Sequence, residues 1–131
     1  VNEGDTLPPV TFPPISRTTL ALFAGASGDH NPIHIDIDYA KRSGLGDVFA
    51  QGMLSMAYLG QVLTRWAPAD RVRQWGVRFL AITPVRATVS CHGKVLEVFE
   101  HAGERRARIK ISARTDQGVE TLAGEAVVAL P

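Results

Sequence analysis

Residues Gly52–Trp66 read GMLSMAYLGQVLTRW, and this stretch decides the fold of the 131-residue chain. The stretch has a helical pattern that Pro68 ends. Its apolar side chains cover most of the helix circumference; they are Met53, Leu54, Met56, Ala57, Leu59, Val62, Leu63 and Trp66. A helix that is apolar on nearly every side is buried on nearly every side. In so small a protein, a sheet wrapped around the helix is the expected way to bury it. The stretch is too short and too polar to cross a bilayer.

The second half of the chain supplies strands for such a sheet. Apolar and polar residues alternate over 85–92 and again over 106–114, which is the pattern of half-buried strands. Segments 72–82 and 122–130 are two further strand candidates. Turn residues separate the four segments at Thr83-Pro84, Ala102-Gly103 and Asp116-Gln117-Gly118. Consecutive strands joined by short turns predict an antiparallel meander.

The first half of the chain reads as an irregular arm followed by short helices. Residues 1–14 are rich in proline and predict an arm with one short edge strand. Ser16 is expected to cap a helix over 18–24, Asp38 a second short helix, and residues 47–50 predict a short strand. Helices segregated from a run of strands predict an α+β fold, in which a long antiparallel sheet wraps around a central buried helix.

Length and composition narrow the functional classes. A chain of 131 residues is enough for one domain, expected over 1–131, and the net charge of +1 gives no field that favours nucleic acid or a membrane surface. One cysteine, Cys91, and no visible signal peptide predict a cytoplasmic location. The four histidines are not at metal-ligand spacing, and no phosphate-binding or dinucleotide motif occurs. We therefore expect neither a metal nor a cofactor.

The segment FAGASGDHNPIH, residues 23–34, places a carboxylate and an imidazole close together in the sequence. Gly28 and Pro32 keep the segment from forming a plain helix, so Asp29 and His34 are expected on a shaped loop. Such a loop can direct both side chains at one water molecule, which is a simple acid–base device. The alternative is structural, with Asp29 capping the loop and His34 packed for stability.

Residues 27–34 read SGDHNPIH, with Ala40 six positions further on. This pattern resembles the signature of the MaoC-like (R)-specific enoyl-thioester hydratases and (3R)-hydroxyacyl-thioester dehydratases. Residues 50–56, AQGMLSM, resemble the segment that begins the central helix of that family, although many members carry histidine where this chain has Gln51. The resemblance covers most of the chain and implies a hotdog fold.

The resemblance also implies a reaction: reversible hydration of a trans-2-enoyl thioester, carried by coenzyme A or an acyl carrier protein, to the (3R)-hydroxyacyl thioester. Asp29 and His34 would be the catalytic pair, with Asn31 and Ser27 as supporting residues. The Gly52 N–H, at the positive end of the helix dipole, would stabilise the enolate oxygen. The predicted pocket residues are Gln51, Met53 and Ser55.

Two alternatives stay open at this point. A hotdog acyl thioesterase would direct a carboxylate-activated water at the carbonyl carbon instead of the β-carbon. A heterodimeric dehydratase would use this chain as the subunit that carries the catalytic pair. An exposed sheet edge needs cover, so we expect a homodimer or a heterodimer with a related hotdog subunit.

Overall fold

Five strands and three α-helices form the fold in the computed structural model, which describes all residues from 1 to 131. Two short 3-10 helices, Pro32–His34 and Ala69–Arg71, complete it. The elements in chain order are β1 (Val10–Thr11), α1 (Arg17–Ser27), α2 (Ile37–Arg42), α3 (Gly52–Trp66), β2 (Val72–Phe79), β3 (Val89–His101), β4 (Glu104–Thr115) and β5 (Glu120–Ala129).

Helix α3 is the centre of the core, as its sequence predicts. Leu59, Val62 and Leu63 are at most 1% exposed, and they belong to one apolar cluster with Ile109 and Ile111 of the sheet. The alternating pattern of β4 therefore turns its apolar residues toward the helix and its charged residues outward. The α+β hotdog fold is confirmed.

The sheet is antiparallel with the strand order β1-β3-β4-β5-β2. The predicted meander is correct for β3, β4 and β5, but it is wrong for β2. That strand pairs with β5 at the far edge and makes no pairing with β3. The connection between β2 and β3 bonds to other parts of the chain, since Leu80 N–H donates to Thr121 O and Arg86 N–H donates to Ile15 O.

The local predictions near the strand starts also need correction. Strand β3 begins at Val89, because Arg86 has a left-handed backbone (φ 71°) that interrupts the extended pattern before it. Residues 47–50 form no strand, and only an isolated bridge joins Phe49 to Pro84.

Two helix boundaries differ from the sequence-based expectation. Helix α1 continues to Ser27, beyond the predicted end, and Gly28 closes it with φ 78° and an N–H bond to Ala24 O. The cap of α2 is Asp36 and not Asp38, since the Asp36 carboxylate accepts the N–H groups of Asp38 and Tyr39. Both shifts extend regular structure closer to the loop that carries Asp29 and His34.

Candidate active site

The loop after α1 is shaped by its own polar side chains. Ser27 Oγ accepts the N–H of Asp29 (3.2 Å), and Asp29 Oδ1 accepts the N–H of Asn31 (3.3 Å). Asn31 Oδ1 in turn caps the 3-10 helix by accepting the N–H of Ile33 (3.2 Å). The left-handed backbone of Gly28 begins this series. Ser27 and Asn31 thus act on the backbone that carries the pair.

His34 is fixed by a backbone carbonyl. Its Nδ1 lies 2.7 Å from Phe49 O, and its ring packs edge-to-face on the Phe49 ring at 4.9 Å between centroids. A carbonyl only accepts hydrogen bonds, so Nδ1 carries a proton, and the lone pair of the neutral form of the ring is on Nε2. That Nε2 lies 3.6 Å from Asp29 Oδ2. The structure therefore brings the predicted pair together with the basic nitrogen facing the carboxylate.

The pair differs in exposure. The His34 side chain is 8% exposed, whereas the Asp29 side chain is 43% exposed. The separation of 3.6 Å between Nε2 and Oδ2 is too long for a good direct hydrogen bond. It is short enough for both atoms to bond one small polar molecule. The arrangement can hold such a molecule and accept a proton from it.

An apolar cavity of about 370 Å³ includes Phe49, the ring partner of His34, in its wall. Its walls come from the N-terminal turn of α3, the end of β2 and the segments next to them; the lining residues are Phe49, Ala50, Gly52, Ser55, Phe79, Leu80, Ala81, Ile82, Thr83 and Leu122. Asp29 and His34 are not among the lining residues. Phe49 connects them to the cavity, because its carbonyl holds His34 and the residue is part of the cavity wall.

The four residues predicted around the helix start fall into two groups. Gly52 and Ser55 line the cavity. Gln51 does not, because its side chain is fully buried and points to α1, where Nε2 donates to Leu20 O (3.0 Å). Met53 does not line the cavity either. It follows Gly52 on the helix, and its side chain faces outward and is 58% exposed.

Gly52 begins α3 with an N–H that has no acceptor in the protein, as expected for the first turn of a helix. The ring of Phe79 packs over its α-carbon, so that a Cβ at this position would lie 3.0 Å from Phe79 Cε1. Glycine is therefore the residue that lets the aromatic ring and the helix start approach each other. Gly52 itself is exposed and lines the cavity.

Three residues of the site lie outside the sequence-based set. Phe49 contributes a backbone carbonyl, which has no signature in a sequence, and Phe79 contributes a ring from the end of β2. Thr83 is 4% exposed, and its Oγ1 accepts a hydrogen bond from Ser55 Oγ (3.3 Å). In the sequence, the Thr83-Pro84 pair indicates only a turn. The one signal for Thr83 is Ser55, a polar residue one turn into a largely apolar helix, which needs a hydrogen-bond partner if it is buried.

An ion pair connects α1 to the segment before α3. Arg17 donates to both oxygens of Asp47, at 2.8 and 2.6 Å. The hydrogen bond from Arg17 lowers the pKa of the Asp47 carboxyl to about 2. Asp47 also accepts the N–H of Val48 (2.7 Å), so the pair holds the backbone that leads to Phe49.

Two kinds of feature were not found in the structure. No group of three or more His, Cys, Asp or Glu side chains is placed to hold a metal ion. No helix combines the length and the hydrophobicity that are needed to cross a membrane.

Comparisons with known proteins show which family the chain resembles. The family model described as "MaoC like domain" matches residues 4–117. A 3-hydroxybutyryl-CoA dehydratase of Methylorubrum extorquens is 32% identical over 118 residues, which are 89% of this chain and 74% of that protein. An R-hydratase of Pseudomonas aeruginosa, PhaJ1 in its unliganded form, superposes with a TM-score of 0.85 at 26% identity, over 100% of this chain and 83% of that one.

The fatty acid synthase subunit beta of Saccharomyces cerevisiae is 26% identical over 136 residues, which cover 100% of this chain. The chain spans only 6% of the length of that subunit. The match to the family model nevertheless extends over most of the present sequence. The chain belongs to the MaoC-like domain family.

Proposed function

We propose that this chain is a hydro-lyase that reversibly hydrates trans-2-enoyl thioesters to (3R)-hydroxyacyl thioesters. The observation that carries the proposal is the orientation of His34. The bond from Nδ1 to Phe49 O leaves Nε2 as the basic atom, 3.6 Å from Asp29 Oδ2. Hydration requires a base and a second polar group around one water molecule, and this pair supplies both.

In the hydration direction, Nε2 of His34 accepts a proton from water while Asp29 holds the same water molecule. The water oxygen forms a bond to C3, the π electrons of the C2–C3 double bond move toward the thioester, and an enolate develops. The pair then returns one proton to C2, so that one water molecule adds in total. Dehydration follows the same steps in reverse.

The enolate oxygen needs a donor, and the Gly52 N–H is our candidate. It stands at the positive end of α3, a helix of 15 residues, and lines the same cavity as the apolar side chains that would cover the acyl group. A preorganised donor of this kind accounts for about a hundredfold to a thousandfold in rate. The Ser55–Thr83 hydroxyl pair lies in the same wall and adds polar surface to it.

The substrate would be an acyl thioester of coenzyme A or of an acyl carrier protein. The relative from Methylorubrum extorquens is named for a coenzyme A thioester, while the yeast relative is a fatty acid synthase subunit. We also propose that the chain works as a dimer, with a second copy or with a related subunit.

The experiment is turnover of crotonyl-CoA by the purified chain, followed by the loss of the enoyl absorbance with a thiol reagent present. We expect the enoyl group to disappear without release of thiol. Asp29→Asn should lower kcat about a hundredfold or more, because it removes the charged partner of the water. Chiral analysis of the product should give the (3R) alcohol.

His30→Ala is the matched control, because this exposed histidine is one residue from Asp29. It should leave kcat unchanged. Release of thiol at the rate of enoyl loss would favour the thioesterase alternative and contradict the proposal. Full activity of Asp29→Asn would contradict the assignment of the pair.

A further inference from the structure

We propose that Gln51 is a positioning residue, which keeps the start of α3 and the His34 loop in place by bonding to α1. The inference rests on the proposed function. Three observations single this residue out. Its side chain is fully buried, its Nε2 donates to Leu20 O (3.0 Å), and its Oε1 is the one buried side-chain polar atom in the structure without a partner.

The orientation of the amide is determined by its neighbour. Two oxygens cannot bond each other, so the nitrogen of Gln51 must face Leu20 O and the oxygen must face away. Leu20 lies inside α1 and its carbonyl is in position to accept the N–H of Ala24 within the helix. The bond from Gln51 is therefore a second bond to an acceptor that the helix already satisfies.

This arrangement costs stability. A buried oxygen without a partner has lost its hydrogen bonds to water and gained nothing in return. An apolar side chain of similar length would fill the same space without that cost. Leu20 O already accepts a hydrogen bond within α1, and the apolar core requires no polar group at this position. The contribution of the Gln51 amide therefore lies in the geometry of the site.

The position of Gln51 explains that contribution. Four consecutive residues carry contacts of the site: Phe49 O holds His34, Ala50 N–H donates to Thr83 O (2.9 Å), Gln51 bonds to α1, and Gly52 presents its free N–H. Helix α1 ends at Ser27 and leads directly to Asp29. The Gln51 bond thus connects the segment that orients the base and the enolate donor to the helix that carries the carboxylate.

The only other side-chain bonds between α1 and this region come from the Arg17–Asp47 pair, whose side chains are 42% and 31% exposed. Water and salt weaken an exposed ion pair, whereas the buried hydrogen bond from the Gln51 amide keeps a fixed geometry. Without the Gln51 bond, α1 can shift relative to residues 49–52. Both the Asp29–His34 separation and the direction of the Gly52 N–H would then change.

The test compares activity with stability in Gln51→Met, which keeps the length of the side chain and removes the amide. We expect kcat for crotonyl-CoA to fall about tenfold or more while KM changes little, because the lost alignment matters in the transition state. We expect the melting temperature to stay equal or to rise, because the unpartnered oxygen is gone. A residue that only stabilises the fold would move the two quantities down together.

Two further variants complete the test. Gln51→Asn keeps an amide but is one methylene too short to reach Leu20 O, so it should lose kcat as Gln51→Met does. Leu63→Met places the same methionine at a buried position about three turns along α3 and should leave kcat unchanged.

The outcomes separate this inference from the proposed function. If the wild-type chain does not hydrate crotonyl-CoA, the proposed function fails. If the wild-type chain is active and Gln51→Met or Gln51→Asn matches its kcat, the positioning role is wrong. A lower melting temperature or loss of folding in Gln51→Met would equally overturn it, since the amide would then be a structural group.

Discussion

Asn31 shapes the backbone of the loop between Asp29 and His34. Its Oδ1 accepts the N–H of Ile33 and caps the 3-10 helix Pro32–His34, which carries the proposed base His34. Ser27 makes a similar bond to the N–H of Asp29. Of the polar residues in the motif, Asp29 and His34 thus face each other, Ser27 and Asn31 bond the backbone, and Asp29 Oδ1 also accepts the N–H of Asn31.

We expect Asn31→Ala to lower both stability and turnover. Loss of the cap should cost about 1 kcal/mol in the free energy of unfolding. Displacement of the His34 ring by a fraction of an ångström should lower kcat between about tenfold and a hundredfold. Urea unfolding and crotonyl-CoA kinetics measure the two effects. Asn31→Ser keeps an acceptor for the Ile33 N–H and should recover much of both, so equal losses in the two variants would contradict a capping role.

At the level of single residues, the sequence predicts the Asp29–His34 pair because their spacing and the flanking Gly28 and Pro32 define a loop. It does not predict that Phe49 holds the imidazole, since a backbone carbonyl is common to every residue type. The direction of the Gln51 side chain cannot be predicted from the sequence either. The residue before a helix can point either into a cavity or into the core, and only the packing of α1 decides between them.

Helix α3 places the N–H of Gly52, which we propose as the enolate donor, at its first position. Its two glycines in contact with aromatic rings offer a matched comparison. A Cβ at Gly52 would lie 3.0 Å from Phe79, and a Cβ at Gly60 would lie 3.0 Å from Trp75. Phe79 lines the cavity beside Ser55, whereas Trp75 contacts the helix two turns further on, outside that cavity.

We therefore expect Gly52→Ala and Gly60→Ala to differ in activity more than in stability. Both methyl groups force an aromatic ring to move, which costs about 1–3 kcal/mol of stability where the core cannot adjust. In Gly52→Ala the displaced Phe79 ring and the new methyl group obstruct the N–H, so kcat/KM should fall about a hundredfold. Gly60→Ala should keep kcat/KM near the wild-type value. Equal activities in the two variants would exclude a role for the Gly52 N–H.

The contact between α1 and the segment before α3 should depend on pH. The pKa of Asp47 is about 2 in the folded chain, below the ordinary value of 3.8, because Arg17 bonds its ionised form. A lowered folded-state pKa means that the stabilisation is present above pH 3.8 and is lost as the pH falls toward 2. Asp47→Asn should therefore lower the melting temperature near neutral pH, and its difference from wild type should shrink over this range.

Melting curves at a series of pH values measure this difference, and added salt should reduce it at neutral pH. Glu3→Gln is the control, because Glu3 is exposed and takes part in no ion pair. If the difference in melting temperature between Asp47→Asn and wild type stays constant from about pH 5 to about pH 2, the carboxylate charge is not what holds the contact.

The order of the elements also marks the limit of sequence patterns at this scale. The alternation in β4 and the length of α3 follow from local periodicity, which depends on which side chains face the core. The position of β2 beside β5 does not follow from local periodicity, because the nine residues 80–88 can either form a hairpin with β3 or cross to the far edge of the sheet. Hydrogen bonds from this segment to Ile15 and Thr121 fix its path, and they join parts of the chain that are distant in sequence.

At the scale of the whole molecule, the two edges of the sheet differ. Strand β1 is two residues long, and the arm before it adds a bridge between Thr6 and Lys94. Strand β2 is eight residues long and has β5 as its one partner, so a full row of its backbone groups faces outward. Close to it, Phe79, Leu80 and Ile82 are each at least half exposed. A long edge beside exposed apolar side chains favours association.

We therefore expect a dimer in solution, with a mass twice the 14.1 kDa of one chain, in which a second copy covers β2. Light scattering after size exclusion measures the mass, and the melting temperature should rise with protein concentration because association stabilises the folded state. Hydrogen exchange should locate the contact, with slower exchange over Val72–Phe79 at high concentration and no change at the turn 116–118. A monomer at every concentration, or protection confined to β1, would contradict this arrangement. The apolar side chains next to Phe79 would then have to be covered by a different subunit or by the acyl chain of the substrate.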